Sequence, residues 1–257
     1  MITEIRVSWW SRLLVFGLII AIWEISSFLV TARPNPFPPP SSFLPDILEN
    51  NFRIGIGSQA TSVFSAISSS VLRVVIGMLI ACAFGIPAGI VISETKLGKT
   101  FLLPFVQLLA PIAPIAWIPI MLAILGVGNS TAIAIVFLGV FFLFTLTITN
   151  AVSSIDKEVR DSARVMGISN LRFYRKVVVP SIMPAMISSM RINLPAAWMA
   201  VLAAEMTGLR DGLGAIVMTG RNLYDYDIIM FGVFFIAVIG LLFDVLVAHI
   251  RNRYFWW

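Results

Sequence analysis

The chain has 257 residues, of which 59% are hydrophobic and only 12% are charged, and its formal net charge is +5. Soluble domains average about 45–50% apolar and about 25% charged residues, so this composition excludes an ordinary soluble globular protein and indicates an integral membrane protein. The single cysteine, Cys82, excludes an intrachain disulfide, and the single histidine, His249, excludes a metal site built from several histidines.

Six apolar stretches are long enough to cross a bilayer, for which a helix needs roughly 20 residues. We predict an all-α protein in which residues 1–257 form one transmembrane domain. The first stretch is followed by Ala32, a small residue that would suit a cleavage site, but the stretch is long for a secretion signal, so we predict a retained helix. The predicted spans are about 13–30, 62–92, 101–125, 131–151, 181–206 and 228–250.

Proline and glycine mark two special regions. The third span contains Pro104, Pro111, Pro114 and Pro119. Because each proline removes a backbone hydrogen bond that lipid cannot replace, we predict that this span is kinked or broken. The glycine-rich stretch 208–216 after the fifth span is either a re-entrant turn or an ordinary outer loop.

Lysine and arginine concentrate at both ends of the chain and in every second loop. Such residues are retained on the cytoplasmic side of a membrane, so we predict that both termini are cytoplasmic. This distribution accounts for the positive net charge, and we therefore predict contact with membrane lipid and no nucleic-acid partner.

The longest cytoplasmic loop, residues 153–180, is called the inner segment. Its pattern predicts two short helices, about 156–166 and 170–178, divided at Gly167, with Pro180 ending the second helix before the fifth span. A basic loop of this kind either lies in solvent near anionic lipid heads or docks on another protein.

The spacing within the inner segment favours docking. Asp161-Ser162-Ala163 is followed after three residues by Gly167, and nine residues later comes the run that ends at Pro180. This spacing resembles the cytoplasmic signature of ABC-importer membrane subunits, EAA, three residues, G, nine residues, IxLP. Further stretches are similar to the nitrate, sulfonate, taurine and bicarbonate permease group, namely residues 71–92, 107–130, 190–208 and 212–233.

The resemblance implies a type I ABC-importer permease fold in a bacterial inner membrane, and import of a small solute by alternating access. In that family the loop acts as a coupling helix on a separate ATPase, with apolar residues as anchors. Carried onto this sequence, the coupling residues are Asp161, Ser162, Ala163, Met166, Gly167, Leu171, Phe173 and Pro180. The implied partners are ATPase subunits, a second permease copy and an external solute-binding protein.

The same resemblance implies that the chain is not an enzyme and binds no cofactor or metal, because ATP and Mg²⁺ belong to the ATPase. Residues 93–100, SETKLGKT, nearly match a phosphate-binding loop but lack its first glycine and its preceding strand. The implied solute is a small oxidised anion, such as nitrate, bicarbonate or a sulfonate like taurine, with a sulfonate favoured.

Ionisable residues within spans cost about 2.5–3.5 kcal/mol each and usually face protein or water. Arg73 and Arg191, placed near mid-depth, would suit a passing anion; alternatively they pair with Glu24 or Asp244, or bind carbonyl groups of the third span. Glu205 belongs either to an outer gate or to an ion pair with Arg210 or Arg221. The predicted pathway residues are Arg73, Gln107, Trp117, Arg191, Asn193, Trp198 and Glu205.

Two other functions remain open at this point. An ion-coupled secondary transporter or channel that acts without an ATPase would carry acidic residues at mid-membrane and no docking loop. A membrane scaffold would tolerate the polar loop but gives no reason for a third span rich in proline.

Overall fold

The computed structural model describes residues 9–30, 35, 37–49, 53–54, 61–166, 168 and 170–254. In this part of the chain the only strands are β1 (Arg53–Ile54) and β2 (Thr61–Ser62), which pair in antiparallel fashion, so the predicted all-α class is confirmed. The helices in chain order are α1 (Trp9–Leu29), α2 (Pro40–Glu49), α3 (Val63–Glu94), α4 (Leu103–Leu109), α5 (Ile118–Leu125), α6 (Asn129–Ser153), α7 (Lys157–Val165), α8 (Asn170–Phe173), α9 (Val179–Glu205), α10 (Leu213–Leu223) and α11 (Tyr226–Tyr254).

Within the described chain, 4 helical segments have the length and composition to cross a membrane: α3, α6, α9 with the turn before it, and α11. A bent pair, Gly98–Leu109 with Pro114–Leu125, makes a fifth if it is counted as one span. The 21 residues of α1 correspond to the first predicted stretch. In the predicted orientation, Val63, Asn129 and Glu205 lie at the outer end of the bundle, and Glu94 and Ser153 lie at the inner end.

The most extensive helix packing joins α3 to α6. Small residues on α3 recur every four positions, as do larger buried residues on α6, so the two rows interlock as ridges and grooves. A Cβ atom at Gly85 would lie 2.8 Å from Phe144 Cδ1, and one at Gly89 would lie 2.7 Å from Ile148 Cβ. Glycine therefore sets the distance between the helices. The rows are Gly77, Ala81, Gly85 and Gly89 on α3, and Val136, Val140, Phe144 and Ile148 on α6.

α3 is longer than the membrane requires. Its 32 residues extend over about 48 Å, whereas the hydrocarbon core of a bilayer is about 30 Å thick. In the serine-rich first turns, the hydroxyls of Ser65 and Ser68 each donate to a carbonyl three residues earlier, at 2.9 Å, so both hydroxyls have partners within the helix. The helix carries Ser69 and Ser70, on the next turn, at the outer end of the bundle.

The third apolar stretch is broken, as its prolines predict. Its two halves meet at a bend of 96°, and a 3-10 turn, Pro114–Trp117, begins the second half. Pro111 and Pro114 border the bend because neither can donate the N–H that would continue a helix. The ring of Pro114 lies against α6 at Gly139, where a Cβ atom would be 2.7 Å from Pro114 Cγ.

Two π-helical turns occur in equivalent positions. Gly98–Leu102 comes directly before α4, with Pro104 in its first turn, and Tyr174–Val178 comes directly before α9, with Pro180 in its first turn. In a regular α-helix the proline ring collides with the carbonyl four residues earlier, and the wider π turn relieves that contact. The prediction that Pro180 ends the helix is therefore wrong, since Tyr174–Glu205 forms one helical segment of 32 residues.

Aromatic side chains join α1 to the bundle at its outer end. The ring of Trp23 lies 5.7 Å from that of Phe43 on α2, and Trp23 Nε1 donates to the Pro38 carbonyl at 3.1 Å. Phe43 is fully buried and meets Phe231 of α11 edge-on at 6.4 Å. The contact between α1, α2 and α11 thus depends on a few large rings.

Valine at position 85 tests the packing of α3 on α6. Gly85→Val is expected to cost about 1–3 kcal/mol of stability, because the added carbons collide with Phe144 and push the helices apart. The measurement is thermal unfolding in detergent. Gly17→Val on α1 is the matched control, since a Cβ atom there meets nothing within 4 Å. Equal unfolding temperatures for the two variants would contradict the packing described.

Candidate functional site

The inner segment projects from the inner end of the bundle as α7 and α8. On α7, Ala163 faces the protein and is buried, whereas Val165 is 89% exposed and the adjacent Met166 is 76% exposed. Together with Glu158, Asp161 and Ser162, these two residues surround a shallow recess. An apolar pair within a polar rim is the usual composition of a protein contact surface.

Direct contacts hold the inner segment on the bundle. Arg160 Nη1 donates to Glu94 Oε1 of α3 at 2.6 Å, and Arg160 Nη2 donates to the Val152 carbonyl of α6 at 2.7 Å. Phe173 and Tyr174 pack against the main hydrophobic core. The segment is therefore fixed to α3, α6 and the base of α9.

The structure brings only some of the predicted coupling residues together. Asp161, Ser162 and Met166 share the recess, whereas Phe173 and Pro180 lie where the segment joins α9. Gly167 and the side chain of Leu171 lie outside the described residues. The N–H of Ile168 donates to the Ala163 carbonyl at 3.2 Å, which closes the end of α7. The coupling role of these residues stays a prediction.

A second constellation, called the outer cluster, lies at the outer end and consists of Ser70, Arg73, Asn129, Glu205 and Asp211. Arg73 is 3% exposed and Glu205 is 0% exposed, and Arg73 Nη1 donates to Glu205 Oε1 at 2.7 Å. Arg73 Nη2 forms an ion pair with the Asp211 carboxylate, and Arg73 Nε donates to Asn129 Oδ1 at 2.8 Å. Ser70 Oγ donates to Glu205 Oε1 at 2.7 Å.

The outer cluster also holds the beginning of α10. The Gly214 N–H donates to Glu205 Oε2 at 2.9 Å, and the Leu213 N–H donates to Ser70 Oγ at 2.9 Å. The first N–H groups of a helix lack partners within it and form the positive end of its dipole, so a carboxylate is stabilised there. Gly212 has φ 110°, which favours glycine, and a Cβ atom at Gly214 would lie 2.8 Å from Glu205 Cβ. The glycine-rich stretch thus lets α10 approach Glu205.

The position of Arg73 differs from the expected mid-depth. Arg73 donates hydrogen bonds to Asn129, the first residue of α6, and to Glu205, the last residue of α9, so it lies near the outer ends of these helices. Two carboxylates contact its one positive charge, so the three groups carry no net positive charge. Such a cluster gives an anion little attraction.

The expected partners of these charges also need correction. Arg73 pairs with Glu205 and Asp211 because α3, α9 and the turn before α10 meet at the outer end. The predicted partners were Glu24 or Asp244 for Arg73, and Arg210 or Arg221 for Glu205. Glu24 instead accepts a hydrogen bond from the hydroxyl of Ser41. The side chain of Asp244 lies outside the described residues.

Besides Glu205, three of the predicted pathway residues lie along α9. Arg191 is partly buried near the middle of the helix. Asn193 is buried and donates to the Ser189 carbonyl of the same helix at 2.8 Å. Trp198 is buried, and its ring lies 6.2 Å from that of Phe243 on α11.

The other two lie on the broken third stretch. Gln107 is exposed on α4. Trp117, at the end of the 3-10 turn, stacks on Phe142 of α6 at 6.4 Å. The buried indole N–H groups of Trp117 and Trp198 have no hydrogen-bond partner among the described residues. Of the seven predicted pathway residues, the structure joins only Arg73 and Glu205 by a described contact, and their pathway role stays a prediction.

Sequence reasoning missed several residues that complete these sites. Arg160 of the inner segment was not selected because it precedes the matched signature, and Val165 was not selected because it stands at a position where the signature accepts any residue. Asn129 and Asp211 lie 56 and 138 residues from Arg73 in the chain, so no local pattern connects them. A usable signal was present, since a buried arginine within a span requires acidic partners and Glu205 directly precedes a glycine-rich turn.

Two kinds of ligand site can be checked directly. Among the residues that the structure describes, no group of three or more His, Cys, Asp or Glu side chains is placed to hold a metal ion. Residues 93–100 continue α3 to Glu94 and then enter the π turn Gly98–Leu102. This arrangement differs from the strand, loop and helix of a phosphate-binding loop.

A double-mutant cycle tests the outer cluster. Glu205→Leu leaves the Arg73 charge buried without its main partner and is expected to cost about 3–5 kcal/mol. Arg73→Met in the same chain removes the stranded charge. The double variant is therefore expected to lose about 2 kcal/mol less unfolding free energy than the two single variants lose together. Thermal unfolding in detergent measures all four proteins, and simple additivity would contradict the ion pair.

Known proteins resemble this chain over most of its length. A protein of Methanocaldococcus jannaschii, provisionally named an ABC transporter permease, is 30% identical over 244 residues, which cover 94% of this chain and 89% of the relative. The taurine transport system permease protein of Escherichia coli is 24% identical over 237 residues, covering 92% and 86%. The nitrate import permease protein of Leptolyngbya laminosa is 27% identical over 240 residues, covering 93% and 85%.

Solved structures share the fold. A chain of an inward-facing methionine ABC transporter superposes with a TM-score of 0.60 at 19% identity, covering 74% of this chain and 93% of that chain. A chain of a bacterial ABC transporter involved in alginate import gives 0.63 at 14% identity, covering 94% and 96%. The predicted fold class, that of ABC-importer permeases, is therefore confirmed.

The family model described as "binding-protein-dependent transport system inner membrane component" matches residues 75–256, which include the inner segment and most of the bundle. The chain therefore belongs to this family and is a permease component of an ABC importer.

Proposed function

We propose that this permease carries a small solute into the cytoplasm by alternating access, and that its inner segment docks on a separate ATPase subunit. ATP closes the ATPase subunits, and the inner segment passes that movement to the membrane helices. The ATPase binds ATP and Mg²⁺, and this chain binds no cofactor. The remaining partners are a second copy of the permease and an external solute-binding protein, and the family name supports the solute-binding protein.

One observation carries the docking proposal: two large apolar side chains stand exposed at the tip of α7, on a segment that is fixed to the bundle. Val165 and Met166 lie at a helix end that faces water in the predicted orientation, where exposed apolar area is unfavourable unless a partner covers it. Arg160 ties the same segment to α3 and α6. A force applied at the recess therefore reaches the bundle through a short and ordered connection.

The helical path into the membrane supports the same mechanism. α8 continues through the π turn Tyr174–Val178 into α9 without a break. The helix remains one segment across Pro184 and Pro195, so we expect a displacement at its inner end to be passed on to its outer end. A loose linker between α8 and α9 would not transmit such a movement.

The relatives named for taurine and for nitrate support a small oxidised anion as the solute, and we favour a sulfonate. We favour Arg191 over Arg73 as the cation on its path because of where the two residues lie. Arg73 is at the outer end beside two carboxylates, and Arg191 lies near the middle of α9. Ionisable side chains at this depth of a span usually face protein or a water-filled path.

A secondary transporter that acts without an ATPase is less well supported. Such a transporter needs an acidic side chain that can exchange its ion near the middle of the membrane. Glu205 is instead at the outer end, fully buried, and accepts hydrogen bonds from Ser70, Arg73 and the Gly214 N–H. The docking surface of the inner segment also has no role in that mechanism.

Co-purification from the native cells tests the docking proposal. Met166→Arg places a charge in the middle of the proposed contact and is expected to weaken ATPase binding by about 2 kcal/mol or more, roughly 30-fold. Leu97→Arg is the matched control, because Leu97 is 73% exposed at the inner end but lies outside the inner segment. The measurement is the amount of ATPase subunit recovered with each tagged, detergent-solubilised variant.

The expected result is an ATPase subunit recovered with wild type and with Leu97→Arg, and lost with Met166→Arg. If the two variants recover equal amounts of ATPase subunit, the recess is not part of the ATPase contact. Wild-type protein that is folded and brings down no ATPase would contradict the proposed function as a whole.

Transport in proteoliposomes tests the proposed role of Arg191. Arg191→Gln is expected to lower the uptake of radiolabelled taurine at least about tenfold, since one lost charge contact is worth about 1.4 kcal/mol or more. Arg221→Gln makes the same chemical change at an exposed outer position and is expected to leave uptake unchanged. Equal uptake by both variants would exclude Arg191 from the anion path.

A further inference from the structure

We propose that Arg73 and Glu205 are positioning residues for transport: the outer cluster fastens α10 to α3, α6 and α9, so that these helices move together with the inner segment as one body. This inference rests on the proposed function, because it takes the movement to begin at the inner segment. It adds a role for two buried residues that do not need to touch the solute.

The first step is the continuity of α9 between the two ends. The segment Tyr174–Glu205 has 32 residues, which correspond to about 48 Å of helix. Its inner end packs on the core through Tyr174, and its last residue is Glu205. The base of the inner segment and the outer cluster are therefore the two ends of one helical segment, and Arg160 joins the proposed ATPase contact on α7 to α3 and α6 of the same bundle.

The second step is the set of contacts made at that last residue. Glu205 accepts hydrogen bonds from Ser70 and Arg73 of α3 and from the Gly214 N–H of α10. Arg73 extends the connection to Asn129 at the start of α6 at 2.8 Å, and to the Asp211 carbonyl in the turn before α10 at 3.1 Å. The helices α3, α6, α9 and α10 thus meet through one buried carboxylate and one guanidinium.

The third step is the lack of free space around the carboxylate. Cβ atoms at Gly212 or Gly214 would collide with the Glu205 side chain. The Glu205 side chain is also completely buried. A carboxylate that is enclosed on all sides and bonded by directional groups has one position, so α10 cannot rotate or slide independently of α9.

The outer cluster uses charged groups because they fix one geometry, and not because they add stability. A buried ion pair contributes no more stability than well-packed apolar residues of similar volume, because desolvation offsets the attraction. Apolar residues would hold the helices together but would permit several packings. Directional hydrogen bonds from three elements specify a single arrangement, which suits a body that must keep its shape while it moves.

Distance measurements between the two ends test this proposal without knowledge of the solute. One spin label is placed on α7 by Lys157→Cys and one on α10 by Asn222→Cys, both exposed positions, in a Cys82→Ala background that removes the only native cysteine. Pulsed electron paramagnetic resonance is recorded on complexes that contain one doubly labelled copy and the ATPase, without nucleotide and after trapping with ATP and vanadate.

For the protein with an intact outer cluster, we expect a narrow distance distribution that shifts by less than about 2 Å on trapping, the size of ordinary helix shifts. With Glu205→Gln, which keeps the size of the side chain and removes its charge, we expect the distribution to broaden and the trapped distance to shift further. Arg73→Lys keeps a cation beside Glu205 but loses the second branch of the guanidinium, so an intermediate broadening is expected.

Asp225→Asn is the matched control. It makes the same chemical change at the outer end, outside the outer cluster, where Asp225 Oδ1 accepts from the Ile228 N–H at 3.2 Å. A purely structural role of Glu205 would lower the unfolding temperature of Glu205→Gln and leave the distance distribution of the folded protein as in the control. That result would overturn the proposal.

The outcomes also separate this proposal from the proposed function. The first case is a complex that forms and hydrolyses ATP, but in which the α7–α10 label distance changes by much more than about 2 Å on trapping although the outer cluster is intact. The proposed transport function then stands, and the proposal that these helices move as one body is wrong. If no ATPase binds, the proposed function fails, and the nucleotide-free distributions of Glu205→Gln and Asp225→Asn still decide whether the cluster fixes α10.

Discussion

The close contact between α3 and α6 determines how the remaining helices can be arranged. Lipid does not drive apolar helices together as water does, so helices in a membrane associate through dense packing and interhelical hydrogen bonds. Gly77, Gly85 and Gly89 allow α6 to lie directly against α3, and α9 then packs on α6 and on α3. Only with this spacing do Ser70 and Arg73 reach the end of α9, where Glu205 accepts their hydrogen bonds.

The polar groups are distributed in accordance with the cost of burying them. The charged contacts described here lie at the ends of the helices: Arg160 with Glu94 at the inner end, and Arg73 with two carboxylates at the outer end. Asp211 remains 43% exposed, so one member of the outer cluster keeps contact with solvent. The completely buried carboxylate, Glu205, is compensated by a guanidinium, a hydroxyl and the N-terminus of α10, which satisfies its oxygens without water.

Sequence patterns predicted those features that depend on neighbouring residues in the chain. Hydrophobic length predicted the long apolar helices α3, α6, α9 and α11, and proline chemistry located the break in the third stretch, because both effects act along the local chain. The spacing around Asp161 and Gly167 located the inner segment in the same way. The partners of Arg73 were not predictable, since Asn129, Glu205 and Asp211 come from three other elements and meet only after the helices pack. Pro180 misled the prediction because the π turn that accommodates it has no sequence signal of its own.

The π turn before α9 and the proline that follows it depend on each other. A π turn holds one residue more than an α turn and absorbs it in a wider loop, so the helices on both sides keep nearly the same direction. Removing a single residue from Tyr174–Val178 would restore an α turn, but it would also bring the ring of Pro180 against the carbonyl four residues earlier. A deletion at this point would therefore be tolerated best when the proline is replaced as well.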